Sequence, residues 1–155
     1  EYGEIAGLPF NSDEYNVNYP YWVEEDSILY FASDMPGGFG GYDLYYSQLK
    51  NGMYGPPINL GPRINTEFDE ISPFLNTANQ RLYFASNNEK SLGGYDIFYS
   101  KIHENGYSKY IHLQEPINST EDDLNFICNE KGTHGYFVSD RLGSEFKLDI
   151  YEFLR

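Results

Sequence analysis

Tyr30-Phe31-Ala32-Ser33-Asp34 returns as Tyr83-Phe84-Ala85-Ser86-Asn87 and again as Tyr136-Phe137-Val138-Ser139-Asp140, each time 53 residues on. Working outward, Tyr42-Asp43-Leu44-Tyr45 returns as Tyr95-Asp96-Ile97-Phe98 and as Leu148-Asp149-Ile150-Tyr151. Ile64-Asn65-Thr66 returns as Ile117-Asn118-Ser119, and Phe10-Asn11-Ser12 is an earlier copy one residue out of step. Pro20, Pro73 and Phe126 hold equivalent places. Several separate motifs kept in one register define a repeat. Its three copies span about 1–54, 55–107 and 108–155.

Each copy holds four short extended segments, in the middle copy roughly 57–60, 71–75, 81–86 and 96–102. They are rich in Tyr, Phe, Ile and Leu, lack a helical period and are separated by Gly, Pro and Asn, which supply the dihedrals of tight reversals. Ile28-Leu29-Tyr30-Phe31-Ala32 and Gly135-Tyr136-Phe137-Val138 are apolar at consecutive positions. A sheet covered on one side alternates, so these sheets are expected to be covered on both. Four-stranded antiparallel sheets stacked face to face about an axis meet that demand. The expected fold is therefore all-β, with β-propeller blades read in the order outer strand, then three inner strands. Three blades do not close a ring. They would be part of a larger propeller, such as half of a six-bladed one, completed by the same chain or by a second copy.

Composition agrees with this and narrows function. The chain of 155 residues has 16 Tyr and 11 Phe, and its 24 acidic against 10 basic residues give a formal charge of −14. Such a field repels nucleic acid and anionic membrane and favours cations or basic partners. No apolar run is long enough for a membrane-spanning helix, so direct membrane insertion is not expected. The sequence begins at Glu1 without an initiator Met or signal-peptide pattern, so a leader or a larger upstream region is expected. Cys128 is the sole cysteine, which excludes an intrachain disulfide, and it reads as a small buried hydrophobe.

The motifs running from Leu29 to Asp34, from Gly37 to Tyr45, and from Ile58 through Asn65-Thr66 to Glu70 and Pro73 resemble the WD40-like PD40 repeats of Bacteroidota envelope proteins. Ser139 to Gly143, running on to Asp149-Ile150-Tyr151, is similar to the related TolB propeller repeat. The resemblance covers essentially the whole chain. It implies a periplasmic or outer-membrane-associated interaction module, of the kind found beside tetratricopeptide and OmpA-like domains in type IX secretion proteins. No peptidoglycan-binding segment occurs in these residues. The third copy departs from the pattern, replacing the glycine-rich turn with Leu142 to Lys147.

Candidate sites follow from departures and repeats alike. Gly37-Gly38-Phe39-Gly40-Gly41-Tyr42-Asp43 lacks the aspartate spacing of a calcium-binding nonapeptide and the Lys-Ser/Thr of a phosphate loop. It reads as a wide, positive-φ turn whose N–H groups Asp34 and Asp43 can cap. Asp96, Asp140 and Asp149 would repeat those structural roles. Asn16, Glu70 and Asp123 open the innermost strands, could face an axial channel, and together could hold calcium, an oxygen-seeking cation. Tyr19, Tyr21 and Trp22 form an aromatic group absent from the other copies and are the candidate interaction residues. Asp26-Ser27-Ile28 fits a short O-glycosylation acceptor pattern on an exposed turn. His103, His112 and His134 lack zinc spacing and read as loop or strand-end residues, and no nucleophile elbow or H-E-x-x-H occurs. The expected function is a non-catalytic scaffold for envelope protein partners, without an obligatory cofactor. The alternatives are a glycan- or calcium-binding propeller, or the accessory propeller of a hydrolase.

Overall fold

The computed structural model describes residues 3–141 and 147–155, and all regular structure among them is β. Sheet 1 is built from β1 (Val17–Val23), β2 (Ile28–Ser33) and β3 (Asp43–Lys50), with the short β4 (Met53–Tyr54) and β5 (Ile58–Asn59) both pairing with β3. Sheet 2 repeats it with β6 (Glu70–Asn76), β7 (Arg81–Ser86), β8 (Asp96–His103), β9 (Gly106–Tyr107) and β10 (Ile111–His112). Sheet 3 comprises β11 (Asp123–Cys128), β12 (His134–Ser139) and β13 (Asp149–Leu154). Every pairing is antiparallel, and the register repeats: Ser33 faces Asp43, Ser86 faces Asp96 and Ser139 faces Asp149. The expected all-β class is present, as three antiparallel sheets.

The strands and the sequence copies are out of phase. β5 lies in the segment that opens the second copy, yet it pairs with β3 of the first, placing Tyr46 opposite Ile58. β10 does the same for β8, placing Tyr99 opposite Ile111. The second and third copies therefore each lend their first strand to the sheet before them. Side chains strengthen that join. Asn65 Oδ1 accepts from the Leu44 N–H at 2.8 Å while its Nδ2 donates to the Leu44 carbonyl at 3.0 Å. Asn118 grips Ile97 identically, at 2.8 and 2.9 Å. One amide thus supplies an acceptor to the buried N–H and a second donor to the carbonyl, which also accepts from the Leu60 or Leu113 N–H.

The glycine-rich turn serves the same join. Of its four glycines only Gly37 has a positive φ, of 92°. A Cβ on Gly40 would lie 2.3 Å from the Phe68 carbonyl oxygen, and one on Gly93 would lie 1.9 Å from that of Thr120. These glycines admit the backbone of the next copy, more than they permit an unusual turn, which corrects the positive-φ reading. Of the altered third turn, Leu142 to Phe146 lie outside the described residues.

The core forms between sheets. Tyr30, Ala32 and Leu44 of sheet 1 meet Leu82, Phe84 and Phe98 of sheet 2. On the other side of sheet 2, Tyr83 and Ile97 meet Phe126 and Phe137 of sheet 3, with Tyr83 and Phe126 ring centroids 4.8 Å apart. The outer face of sheet 1 is covered by the N-terminal segment, where Phe10 stacks on Phe31 at 4.9 Å. Sheets 1 and 2 are thus covered on both faces, as their consecutive apolar residues require. Sheet 3 is not. Tyr136 is 40% and Ile150 76% exposed, where their equivalents Tyr83 and Ile97 are 3% and 0%.

Candidate functional site

The first strands of the three sheets, β1, β6 and β11, lie side by side, and each carries the same defect. Between Asn18 and Tyr21 the strand advances three residues while its partner advances two, from Ala32 to Tyr30. The register slips identically between Ile71 and Phe74 and between Leu124 and Ile127. These are β-bulges, each with one extra residue. The residue at each bulge is left-handed without being glycine: Tyr19 (φ 55°), Ser72 (53°) and Asn125 (51°). Such a conformation costs about 1–2 kcal/mol for an L-residue with a Cβ, and less for Asn. Pro20, Pro73 and Phe126 follow them, and proline inside a strand is tolerated where a bulge frees its nitrogen from the ladder.

The three bulges converge on one groove of about 150 Å³, lined by Tyr19, Tyr21, Phe74, Phe126 and Ile127 together with Ser72 and Asn125. Ser72 Oγ donates to Asn125 Oδ1 at 2.7 Å, tying two bulges together. Tyr21 packs edge-on against Phe74 at 5.4 Å and donates its hydroxyl to the Leu75 carbonyl at 3.0 Å. Burial raises the Tyr21 phenol above its usual value, so it remains a neutral donor. Tyr19 is exposed at the rim. Of the three aromatics singled out in the sequence, Tyr19 and Tyr21 meet here. Trp22 points elsewhere and donates its indole N–H to Glu24.

The acids go to other work. Register places Val17, and not Asn16, opposite Ser33, at the position of Glu70 and Asp123, while Asn16 corresponds to Asp69 and Asp122. The proposed trio of Asn16, Glu70 and Asp123 is therefore not one structural set. Glu70 is wholly buried and accepts from the Thr66 N–H (2.8 Å), Thr66 Oγ1 (2.7 Å) and Ser86 Oγ (2.8 Å). Asp123 accepts from the Ser119 N–H at 2.6 Å and pairs with Arg141. Among the described residues no three acidic, His or Cys side chains are grouped so as to hold a metal ion.

The turn aspartates divide. Asp43 caps the Phe39 N–H at 2.7 Å, and Asp96 caps that of Leu92 at 2.8 Å, as expected. Asp34 does not reach the glycine turn; it accepts from the Asn16 N–H, and that bond holds its carboxyl below the ordinary range. Asp140 takes the same place for the Asp122 N–H at 2.9 Å. Asp149 is exposed. Sequence reasoning missed His112, whose Nε2 contacts the buried Asp96 at 2.5 Å, the place where Asn59 donates to Asp43. His134 pairs with Glu152 at the surface, and His103 ends β8, as expected of a strand-end residue. Cys128 is half-buried beside the Asn76 amide, and burial raises its thiol.

A second crevice, of about 550 Å³, opens between sheets 2 and 3 near Arg81, His112, Glu115 and Phe153. Between sheets 1 and 2 Tyr107 of the β8–β9 hairpin packs into the core, with its hydroxyl 3.2 Å from that of Tyr30. No protein-family model and no curated protein matches the chain.

Glu70 gives a pH prediction. Burial outweighs its hydrogen bonds and raises its carboxyl above 4.5, so the folded protein keeps a proton that the unfolded chain has released. Stability from this group is full below pH 4.5 and falls as pH rises through the higher folded value. Urea unfolding across pH 4 to 8 should show that fall in the wild type and a flatter profile in Glu70→Gln. Equal slopes would refute it.

Proposed function

We propose that the three sheets are consecutive blades of a β-propeller, and that the chain is a non-catalytic protein-interaction module whose partner docks at the bulge groove. Supporting the blade reading are the shared register, the core formed between successive sheet faces and the inner strands running side by side. The resemblance of its motifs to PD40 repeats points to the bacterial envelope as the setting and to an envelope protein as the partner.

The observation that carries the docking reading is the convergence of three equivalent, non-glycine, left-handed residues on one aromatic-walled groove. Bulges and strained backbone gather where a surface is shaped for contact. Packing alone would be served as well by glycine at these places. The groove offers exposed aromatic area and peptide groups outside the ladder, which suits an extended protein segment.

A photo-crosslinking residue at Tyr19, compared with one at exposed Lys101 on the outer end of β8, tests this in native envelope extract. A discrete protein adduct is expected from position 19 and none from 101. Equal labelling from both positions, or none from 19, would sink the reading. Tyr19→Gly should separate stability from binding. Removing the aromatic should weaken partner binding about 30-fold, a loss of roughly 2 kcal/mol. Relief of the left-handed strain should offset the entropy of glycine and keep folding stability within about 0.5 kcal/mol of wild type. Urea denaturation and titration of the crosslinked partner measure the two quantities separately.

A further inference from the structure

We infer that the protein segment seated in the bulge groove is basic, and that its lysine or arginine enters a carboxylate-lined crevice beside the groove; this rests on the docking reading of that groove.

The crevice has a volume of about 520 Å³. Glu25 and Asp26 line it from the β1–β2 turn and Glu130 from the β11–β12 turn, with Tyr30 of β2, Leu75 of β6 and Ile102 of β8 among their neighbours. All three sheets thus contribute to it, as they do to the groove. The two sites adjoin. Phe74 lines the groove and Leu75 the crevice, and the groove's Tyr21 donates its hydroxyl to the Leu75 carbonyl at 3.0 Å. Glu25 follows Tyr21 by four residues, and Glu130 follows Phe126 by four. At the rise of a strand that is about 13 Å, the span of about four residues of an extended segment.

Charge sets the chemistry of the occupant. The stretches 17–27, 70–80 and 123–133, which build the first strands and their turns, hold one Lys or Arg, Lys131. It is exposed and does not line the crevice. Among the described residues the ion pairs are made by Asp96, Asp123 and Glu152, so Glu25, Asp26 and Glu130 meet in the crevice without a cation. Their neighbour Glu24 is engaged, accepting the Trp22 indole N–H. Burial above all, with the Asp26 charge adding to it, raises the Tyr30 phenol, so the Asp26 carboxylate acts on a group inside the crevice.

Three carboxylates turned towards one crevice repel each other, and each is an acceptor in want of a donor. They are not grouped so as to hold a metal ion. The cation that suits them is therefore one delivered on a long side chain. The methylene stem of a lysine or arginine can lie along Leu75 and Ile102 while its head stays among the carboxylates. A neutral segment would fill the groove and leave the repulsion in place, and an acidic one would add to it. The chain's net charge of −14 steers in the same direction, speeding the approach of a basic segment and disfavouring an acidic one.

Mass spectrometry of the segment captured by the photo-crosslinker at position 19 should find a Lys or Arg within about five residues of the crosslink. A captured segment without one overturns the inference and leaves the docking reading standing, whereas no adduct overturns both. A defined probe supplies the second measurement. The peptide Leu-Ser-Ser-Ser-Lys-Ser-Lys, carrying a neutral dye, is titrated with the 155-residue chain by fluorescence anisotropy. It should bind roughly 100-fold more tightly than the same peptide with Glu for Lys, and less tightly as salt rises from about 0.05 to 0.5 M. Tyr19→Gly should weaken it, since the leucine occupies the groove. Glu25→Gln, Asp26→Asn and Glu130→Gln together should weaken it about tenfold. Asp13→Asn, Glu14→Gln and Glu89→Gln remove the same charge outside the crevice and should change it less than about twofold. All six residues are exposed, so both triple variants should keep the wild-type melting profile. Equal binding of the Lys and Glu peptides, equal effects of the two triple changes, or no binding of the Lys peptide at about 1 mM overturns the inference.

Discussion

Asn65→Leu should lower the unfolding free energy by about 2–4 kcal/mol, although leucine nearly matches asparagine in shape. Asn65 is buried, and its amide does the work of an additional strand. It accepts from the Leu44 N–H, donates to the Leu44 carbonyl, and donates again to Asn59 Oδ1 at 2.8 Å. Leucine leaves the Leu44 N–H buried without a partner. The carbonyl keeps one bond, from the Leu60 N–H at 3.0 Å, which is why the expected loss is not larger. Asn118→Leu should cost a similar amount at Ile97. Asn11→Leu, in the same motif but exposed, should change stability by less than about 0.5 kcal/mol. Urea denaturation of the three variants at micromolar concentration measures the contrast. Three equal losses would mean that the motif acts through local conformation rather than by gripping the preceding sheet.

That contrast marks how far the sequence can be read. The tightly repeated Tyr-Phe-Ala-Ser segment predicts a strand over 81–86, and β7 is Arg81–Ser86. Strand positions follow from apolar runs between turn residues, and those signals are local. The partner of each strand is not a local property. The segment 57–60 reads as the start of a copy, yet its hydrogen bonds go backwards to β3. Asn65 and Asn118 register as repeat markers, but an Ile-Asn-Thr triplet carries no sign that its amide will replace a strand. The glycines of 37–41 mislead in a similar way, because their role is set by how closely another loop approaches. For the groove, the prolines at 20 and 73 inside otherwise apolar strands were the available clue. Phe126 at the third position hid the pattern. His112 could not be found from its neighbours in sequence, since Asn59 fills the equivalent role with different chemistry.

The same tyrosine should matter at one copy and not at another. Tyr83→Ala should cost about 3–5 kcal/mol, because the ring sits among Phe126, Tyr99 and Phe74 at centroid distances of 4.8, 5.7 and 6.1 Å, and its loss leaves a cavity between sheets 2 and 3. Tyr136 holds the identical place in its own strand. Its ring pairs with His134 at 5.4 Å and its hydroxyl reaches Glu152 at 3.4 Å, both at the surface, and it is 40% exposed. Tyr136→Ala should therefore cost less than about 1 kcal/mol in dilute solution. Whatever tyrosine contributes through strand propensity is common to both sites, so the difference reports the neighbouring sheet alone. Urea denaturation of the two variants measures the contrast. Equal losses would mean that the tyrosine acts through strand propensity and not through packing against the neighbouring sheet.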